Sequence, residues 1–223
     1  MITIITQYGE LLLRAMGQTL LLALCGLFFA CIIGLVFGMM SVLKSKVCRA
    51  IAQIFVDIVR GVPMIVLAFF VFFGVPYFFK NVLGNNITLS ALTAGTICLA
   101  LNCGAYMAEI IRAGIQSVDK GQMEAARSLG LTYWKSMRKV VLPQAIRTMI
   151  PSIINQFIIT LKDTSILSVI GFPELVNSAK NVVAITFKSF ETWLIVGIMY
   201  LIIITALSKL AKVLERRLNR GRQ

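Results

Sequence analysis

Carboxylates within long apolar stretches are the residues of this sequence with the clearest chemical potential. Asp163 ends one such stretch and stands between Lys162 and Thr164. Neighbours in sequence point apart on a helix, so Lys162 is a poor partner for it. A carboxylate beside hydroxyl groups can hold the ammonium group of a substrate. The alternative is a residue at the outer membrane interface that contacts no substrate.

A second group of polar residues precedes Asp163 in the sequence. Asn102 and Tyr106 lie four residues apart and Glu109 follows three later, so the three side chains share a helical face. They predict a polar stripe that faces a pathway, with Asn155 and Thr160 as weaker additions. Glu109 is also three residues from Arg112, and the alternative is a structural ion pair between them.

Charges at the centre of a bilayer cost about 2.5–3.5 kcal/mol each, so they need partners. Asp57 and Arg60 lie three residues apart and predict a structural ion pair. Asp163 and Glu109 remain as acids for a substrate ammonium. For a substrate carboxylate, we expect backbone amides at a broken helix end near Pro151 or Gly104.

The composition explains why these charges would lie in a membrane. The chain has 223 residues, of which 58% are hydrophobic, and a net charge of +13. Its mean hydropathy is +0.88. These values indicate a membrane protein whose basic residues lie in cytoplasmic loops, with no nucleic-acid partner. The sequence contains no histidine, which excludes imidazole chemistry and histidine metal sites.

Uncharged stretches predict an all-α membrane protein with five transmembrane helices in a single domain, residues 1–223. The spans are residues 19–43, 61–79, the second half of 81–108, 140–161 and 192–208. The second span extends back through residues 50–60. Residues 164–188 are predicted to form short helices that lie at the membrane surface or are partly re-entrant.

Basic residues predict the orientation of these spans. Sixteen lie in the first and third loops and the C-terminal tail, against five on the other side. The positive-inside rule therefore places the N-terminus outside and the C-terminus in the cytoplasm. The basic tail, residues 209–222, is expected to anchor on anionic lipid.

The cytoplasmic loop at about residues 116–143 contains "EAARSLGLTYWKSMRKVVLPQA", residues 124–145. Ala125 and Ala126 after Glu124 give a short helix a smooth face. Gly130 ends this helix by permitting a positive φ, and Thr132 is a suitable N-cap for a second helix. Such an elbow predicts a docking element, and the alternative is an amphipathic helix on the membrane surface.

The spacing of Glu124-Ala125-Ala126, Gly130 and Leu142-Pro143 resembles the EAA loop of bacterial ABC importer permeases. Val140 stands where that family usually has isoleucine. Segments beginning at residues 60, 102 and 155 ("RGVPMIVLAFFVFFGVP", "NCGAYMAEIIRAGIQSVDKGQMEAARSLGL", "NQFIITLKDTSILSVIG") resemble the family's polar amino-acid branch, which imports histidine, glutamine, glutamate, arginine or cystine.

The resemblance implies a type I ABC importer permease in the bacterial inner membrane. A second permease subunit, a copy or a sister chain, would complete the pathway, and an external binding protein would deliver the amino acid. Two ATPase subunits would bind ATP and Mg and dock at the EAA elbow. The residues implied for docking are Glu124, Ala125, Ala126, Gly130, Leu142 and Pro143. Those implied near the substrate are Asp163 and Glu109, to which the helical spacing adds Asn102 and Tyr106.

The chain itself is expected to be no enzyme and to hold no cofactor, since it lacks the G-x-x-x-x-G-K-[ST] phosphate loop. Two other functions remain open at this level. A self-sufficient secondary transporter or channel would leave the elbow unexplained. A membrane scaffold that docks a soluble cytoplasmic protein without transport would leave the polar stripe unexplained.

The orientation can be tested with reporter fusions. A reporter fused after the last residue should report the cytoplasm, and one inserted within residues 80–90 should report the outside, because the basic residues favour that arrangement. The same signal from both fusions would contradict the predicted topology.

Overall fold

The structure confirms five helical stretches that are long and apolar enough to cross a membrane. The computed structural model describes the backbone of residues 1–219 and the side chains of residues 1–213. Within that part the candidate spans are Ile2–Val42, Met64–Val82, Ala91–Gln116, Tyr133–Ile170 and Ser189–Val213. The end of the basic tail predicted to anchor on lipid, residues 220–222, lies outside the described residues.

The helices are labelled in chain order. They are α1 (Ile2–Val42), α2 (Lys46–Gly61), α3 (Met64–Phe69), α4 (Val75–Val82), α5 (Ala91–Gln116), α6 (Lys120–Ser128), α7 (Tyr133–Ser136), α8 (Leu142–Asp163), α9 (Leu175–Thr186) and α10 (Ser189–Asn219). π-helical turns Phe70–Gly74 and Met137–Val141 join α3 to α4 and α7 to α8, and the 3₁₀ helix Thr164–Ile170 follows α8.

Both π-helical turns end two residues before a proline, Pro76 in one and Pro143 in the other. Proline has no N–H group to donate, and its ring crowds the carbonyl group four residues earlier. A wider turn just before the proline accommodates both effects without breaking the span. The prolines therefore shape two spans without ending them.

Two boundaries differ from the sequence prediction. The first helix begins at Ile2 and not at residue 19, and the exposed side of its first part carries the ion pair between Arg14 and Glu10 (2.5 Å). The predicted extension of the second span through residues 50–60 is wrong, because these residues form a separate helix, α2, that ends at Gly61. Pro63 disfavours helical geometry at Val62, whose φ and ψ are −98° and 129°.

The core of the bundle is a close parallel contact between α1 and α5. A Cβ atom added at Gly26 would lie 2.6 Å from Leu99 Cβ, and one added at Gly38 would lie 2.8 Å from Ile111 Cβ. Residue numbers rise together along the two helices, so they run in the same direction. Because lipid is as apolar as the side chains, spanning helices associate through such close approach of small residues.

Other contacts show that consecutive spans alternate in direction. Gly114 of α5 packs on Met149 of α8, and the thiol of Cys98 lies 3.8 Å from the carbonyl oxygen of Leu67 in α3. Asn102 contacts Met64 one turn further along both helices. The helices on either side of α5 in sequence therefore run antiparallel to it, as five successive crossings require.

Residues 164–188 form short helices, as predicted, and a buried acid fixes α9 inside the bundle. Glu174 is fully buried and accepts hydrogen bonds from the amides of Val176 (2.8 Å) and Asn177 (2.6 Å). Burial raises the pKa of the Glu174 carboxyl, and these two amides oppose that rise. The amide of Leu175, the first residue of α9, donates a hydrogen bond to the hydroxyl of Thr19 in α1 (3.1 Å).

The α1–α5 contact predicts which glycines of α1 are essential. Gly34→Val should destabilise the protein by about 1–3 kcal/mol, because its added atoms would overlap Met107. Gly17→Val on the same helix is the matched control, since nothing lies within 4 Å of its Cβ position. Thermal unfolding in detergent measures both. Equal melting temperatures for the two variants would contradict this packing.

Candidate functional site

A polar cavity of about 480 Å³ lies where α2 and α3 meet beside α5 and α8. Its lining includes Arg60 at the end of α2, Asn102 and Tyr106 of α5, and Gln156 and Asp163 of α8. Three of the four residues proposed from sequence for substrate binding, Asn102, Tyr106 and Asp163, thus share one cavity. Its size lies within the usual range for small-molecule sites.

Helix geometry explains why these side chains converge. Asn102 and Tyr106 lie within an arc of about 40° on α5, on a different side from Met107 and Ile111, which pack on glycines of α1. Gln156 and Asp163 lie within about 20° of each other on α8. The two polar faces meet because α8 packs against α5 through Gly114 and Met149.

Arg60 is the cation of this cavity. Its guanidinium lies 4.9 Å from the centre of the Tyr106 ring, within the range of a cation–π interaction. Asp57 accepts a hydrogen bond from Gln53 instead (2.8 Å), and neither ion pair among the described side chains of residues 1–213 joins it to Arg60. The predicted Asp57–Arg60 pair is therefore wrong, because the end of α2 turns Arg60 toward α5.

Asp163 is the acid of the same cavity. It is half-buried at the last residue of α8, and Arg60 is the other charged residue of the lining. Burial disfavours an unpaired carboxylate, whereas a cation bound in the cavity would compensate its charge. The cavity therefore offers one negative and one positive group, with uncharged amides from Asn102 and Gln156 between the helices.

The expected helix break near Pro151 or Gly104 is wrong. α8 is continuous through Pro151, and α5 is continuous through Gly104, where an added Cβ would lie 2.7 Å from Ile33. The break that borders the cavity lies at residues 62–63, between α2 and α3. Gly104 serves the contact with α1 and not an opening in the helix.

Glu109 lies in a second cavity of about 310 Å³, one to two turns further along the groove between α5 and α8. It accepts a hydrogen bond from Nε of Arg112 (3.0 Å) and is ion-paired with the same guanidinium. Arg112 also donates to Gln116 (2.9 Å). The ion pair considered from sequence is present, and the structure does not bring Glu109 together with Asp163.

The two cavities follow the same two helix faces. On α5, Asn102, Tyr106 and Glu109 fall within an arc of about 60°. On α8 the corresponding polar side chains are Thr148, Ser152, Gln156 and Asp163, which fall within about 80°. Polar side chains thus follow the groove between α5 and α8 through both cavities, from Asp163 at one end to Thr148 at the other.

The elbow has the predicted helix–glycine–helix form. α6 ends before Gly130, whose φ is +82°, and Thr132 occupies the N-cap position of α7. Glu124 and Ala125 are exposed, whereas Ala126 is buried. The predicted smooth face made by both alanines is wrong, because adjacent residues point to different sides of α6.

The elbow is anchored on one side and open on the other. Met123 of α6 packs on a cluster that includes Met137 and Val141. Leu129 and Trp134, by contrast, are 84% and 64% exposed on either side of Gly130. Large exposed apolar residues beside a glycine turn mark a surface that fits a protein partner. Leu142 and Pro143 follow at the start of α8, with Leu142 packed on the same cluster.

Arg60 and Gln156 were not identified from the sequence as residues of the candidate binding site. The spacing of Arg60 from Asp57 favoured a local pair, and only the break at Pro63 directs Arg60 to another helix. Gln156 belongs to a repeat of polar residues on α8 at intervals of four, Thr148, Ser152 and Gln156, which the sequence does show. That repeat is the signal that could have identified the second wall of the groove.

Comparisons with known proteins agree with this architecture. The family model described as "binding-protein-dependent transport system inner membrane component" matches residues 11–220. The glutamine transport system permease protein GlnP of Escherichia coli K12 is 36% identical, over 93% of each chain. The probable amino-acid ABC transporter permease protein YckA of Bacillus subtilis 168 is 35% identical, over 92% of this chain and 88% of its own. A crystal structure of an amino acid ABC transporter with histidines superposes with a TM-score of 0.88 at 37% identity, over 96% of each chain.

Proposed function

Since the chain belongs to the family of binding-protein-dependent transport system inner membrane components, we propose that it forms the translocation pathway of an ATP-driven importer of polar amino acids. Its similarity to glutamine and other amino-acid permeases supports this substrate class. The observation that carries the proposal is the cavity between α2, α5 and α8, which holds one carboxylate and one guanidinium.

An α-amino acid carries an ammonium group and a carboxylate, and neither can lie unpaired in a poorly hydrated cavity. We assign the ammonium to Asp163 and the carboxylate to Arg60, whose guanidinium can bind it through two hydrogen bonds. Asn102 and Gln156 provide uncharged amides for a polar substrate side chain. The α-amino and carboxylate groups would use both charges of the lining, which favours a substrate with an uncharged polar side chain such as glutamine.

The second cavity is the proposed continuation of this pathway toward the elbow. Glu109, Ser117, Thr148 and Ser152 line it, on the same faces of α5 and α8 as the first cavity. A substrate that leaves Asp163 would meet hydroxyl groups and the Glu109–Arg112 pair before it reaches the cytoplasm. Glu109 therefore belongs to the exit of the pathway in this proposal and not to the first binding site.

The elbow is the proposed contact with the ATPase subunits, which bind and hydrolyse ATP with Mg. Glu124, Ala125 and Gly130 are exposed there, next to the apolar side chains of Leu129 and Trp134. A glycine at a φ of +82° lets the chain turn between α6 and α7 without strain. The external binding protein and a second permease subunit complete the proposed assembly.

A physical connection leads from the elbow to the cavity. Lys44, between α1 and α2, lies 5.6 Å from the centre of the Tyr133 ring in α7. α2 begins two residues later, spans about 24 Å as a 16-residue helix, and ends beside Arg60. A rigid-body displacement of the elbow would therefore move Arg60 relative to Asp163 and change the binding site.

The charges of the cavity predict the effect of two substitutions. Asp163→Asn and Arg60→Gln should each lower uptake of L-glutamine by about tenfold or more, because each leaves one substrate charge without a partner. Uptake into proteoliposomes containing the assembled transporter measures this. The matched controls are Asp57→Asn and Arg49→Gln, which remove charges outside the cavity and should leave uptake near normal.

Normal uptake with Asp163→Asn and with Arg60→Gln would exclude this cavity as the binding site. A membrane scaffold without transport predicts no uptake by the unaltered protein, although partner proteins would still bind to it. The same experiment therefore separates the two functions.

The elbow can be tested separately from the cavity. Gly130→Val forces a β-branched residue to a positive φ at a local cost of about 1–3 kcal/mol, and should impair ATPase attachment together with uptake. Gly84→Val is the matched control, since Gly84 has a φ of +70° and also has no atom within 4 Å of its Cβ position. Glu124→Lys should weaken attachment as well. Co-purification of the ATPase subunits measures this, and full attachment in both elbow variants would contradict the docking role.

A further inference from the structure

An apolar cleft of about 460 Å³, separate from the two cavities of the proposed pathway, lies between α1, α8 and α10. Leucine, isoleucine, alanine and phenylalanine side chains line it, among them Leu24 of α1, Ile154 and Ile158 of α8, and Leu207 of α10. All of these residues belong to candidate membrane spans. The proposed transport pathway uses the other face of α8 and leaves this cleft without a role.

Arg147 lies on the cleft side of α8. It is seven residues before Ile154 and eleven before Ile158, so all three side chains fall within about 20° of one direction around the helix. Arg147 is exposed and takes part in neither ion pair found among the side chains of residues 1–213. An arginine within a span needs a partner for its charge, and the phosphate of a lipid is one.

We propose that the cleft binds one anionic phospholipid, with its phosphate on Arg147 and one acyl chain between α1, α8 and α10. The lengths agree with this occupant. Ile154 and Ile158 lie about 10 Å and 17 Å from Arg147 along the helix axis. The hydrocarbon of one leaflet is about 15 Å deep, so a chain that starts at Arg147 reaches these residues.

A single acyl chain suits a cleft with this apolar lining, because it restores the dispersion contacts that an empty apolar cleft would lack.

The headgroup part of the proposal is tested by native mass spectrometry of the full chain with its attached subunits, after addition of equal amounts of phosphatidylglycerol and phosphatidylcholine. The protein should retain phosphatidylglycerol preferentially. Arg147→Gln should reduce its retention about fivefold, the effect of about 1 kcal/mol for one basic residue at an anionic surface. Lys46→Gln, which removes an exposed charge away from the cleft lining, should retain the lipid as the unaltered protein does.

The acyl-chain part is tested by filling the cleft. Leu24→Trp should reduce retention of both lipids, whereas Leu21→Trp, at an exposed position of α1 outside the lining, should not. Because Leu24 is 66% exposed, the larger side chain does not disturb the core, and a size-exclusion profile like that of Leu21→Trp confirms folding.

Equal retention of phosphatidylglycerol in Arg147→Gln and Lys46→Gln would overturn the phosphate contact. Loss of a second permease subunit in Leu24→Trp, with lipid retention unchanged, would show that this face binds protein and would overturn the proposal as a whole. Retention of detergent alone, with neither lipid bound, would overturn it too.

Discussion

The close parallel contact between α1 and α5 is the constraint on which the rest of the structure depends. Gly26, Gly34 and Gly38 bring the two helix axes close together in an environment where the hydrophobic effect does not favour helix association. This contact fixes the rotation of α5 about its own axis. The side of α5 away from Met107 and Ile111 then directs Asn102 and Tyr106 into the bundle and away from lipid, where polar side chains would be costly.

α8 completes the arrangement because it has two faces of opposite character. One carries Thr148, Ser152, Gln156 and Asp163 toward α5, and the other carries Ile154 and Ile158 toward the apolar cleft. The break at residues 62–63 directs Arg60 into the cavity, to which neither α5 nor α8 contributes a basic residue. The fully buried Glu174 caps α9, whose first amide is bound to Thr19 of α1, so the region that follows Asp163 is held to the same scaffold as the cavity.

Features set by local sequence could be predicted, and features set by contacts between distant segments could not. The five spans are predicted by five apolar stretches, and the positive φ of Gly130 is predicted by its residue type. The structure confirms both predictions. Arg60 was assigned to Asp57 because spacing reveals only neighbours on one helix, whereas Tyr106 of another span decides its direction. Gly104 looked like a point of helix breakage, but its partner Ile33 lies 71 positions earlier. The spacing assigns Ala125 and Ala126 to one smooth face, because it cannot reveal that α6 packs through Met123 on Met137 and Val141, on the side where Ala126 is buried.

The central claim is that one amino acid binds between Arg60 and Asp163. The most direct measurement is a density map of the assembled transporter, determined with and without saturating L-glutamine under otherwise equal conditions. The account predicts additional density in the cavity between α2, α5 and α8, with the ammonium at Asp163 and the carboxylate at Arg60. Density for the amino acid elsewhere in the membrane domain, with this cavity unchanged between the two maps, would contradict it.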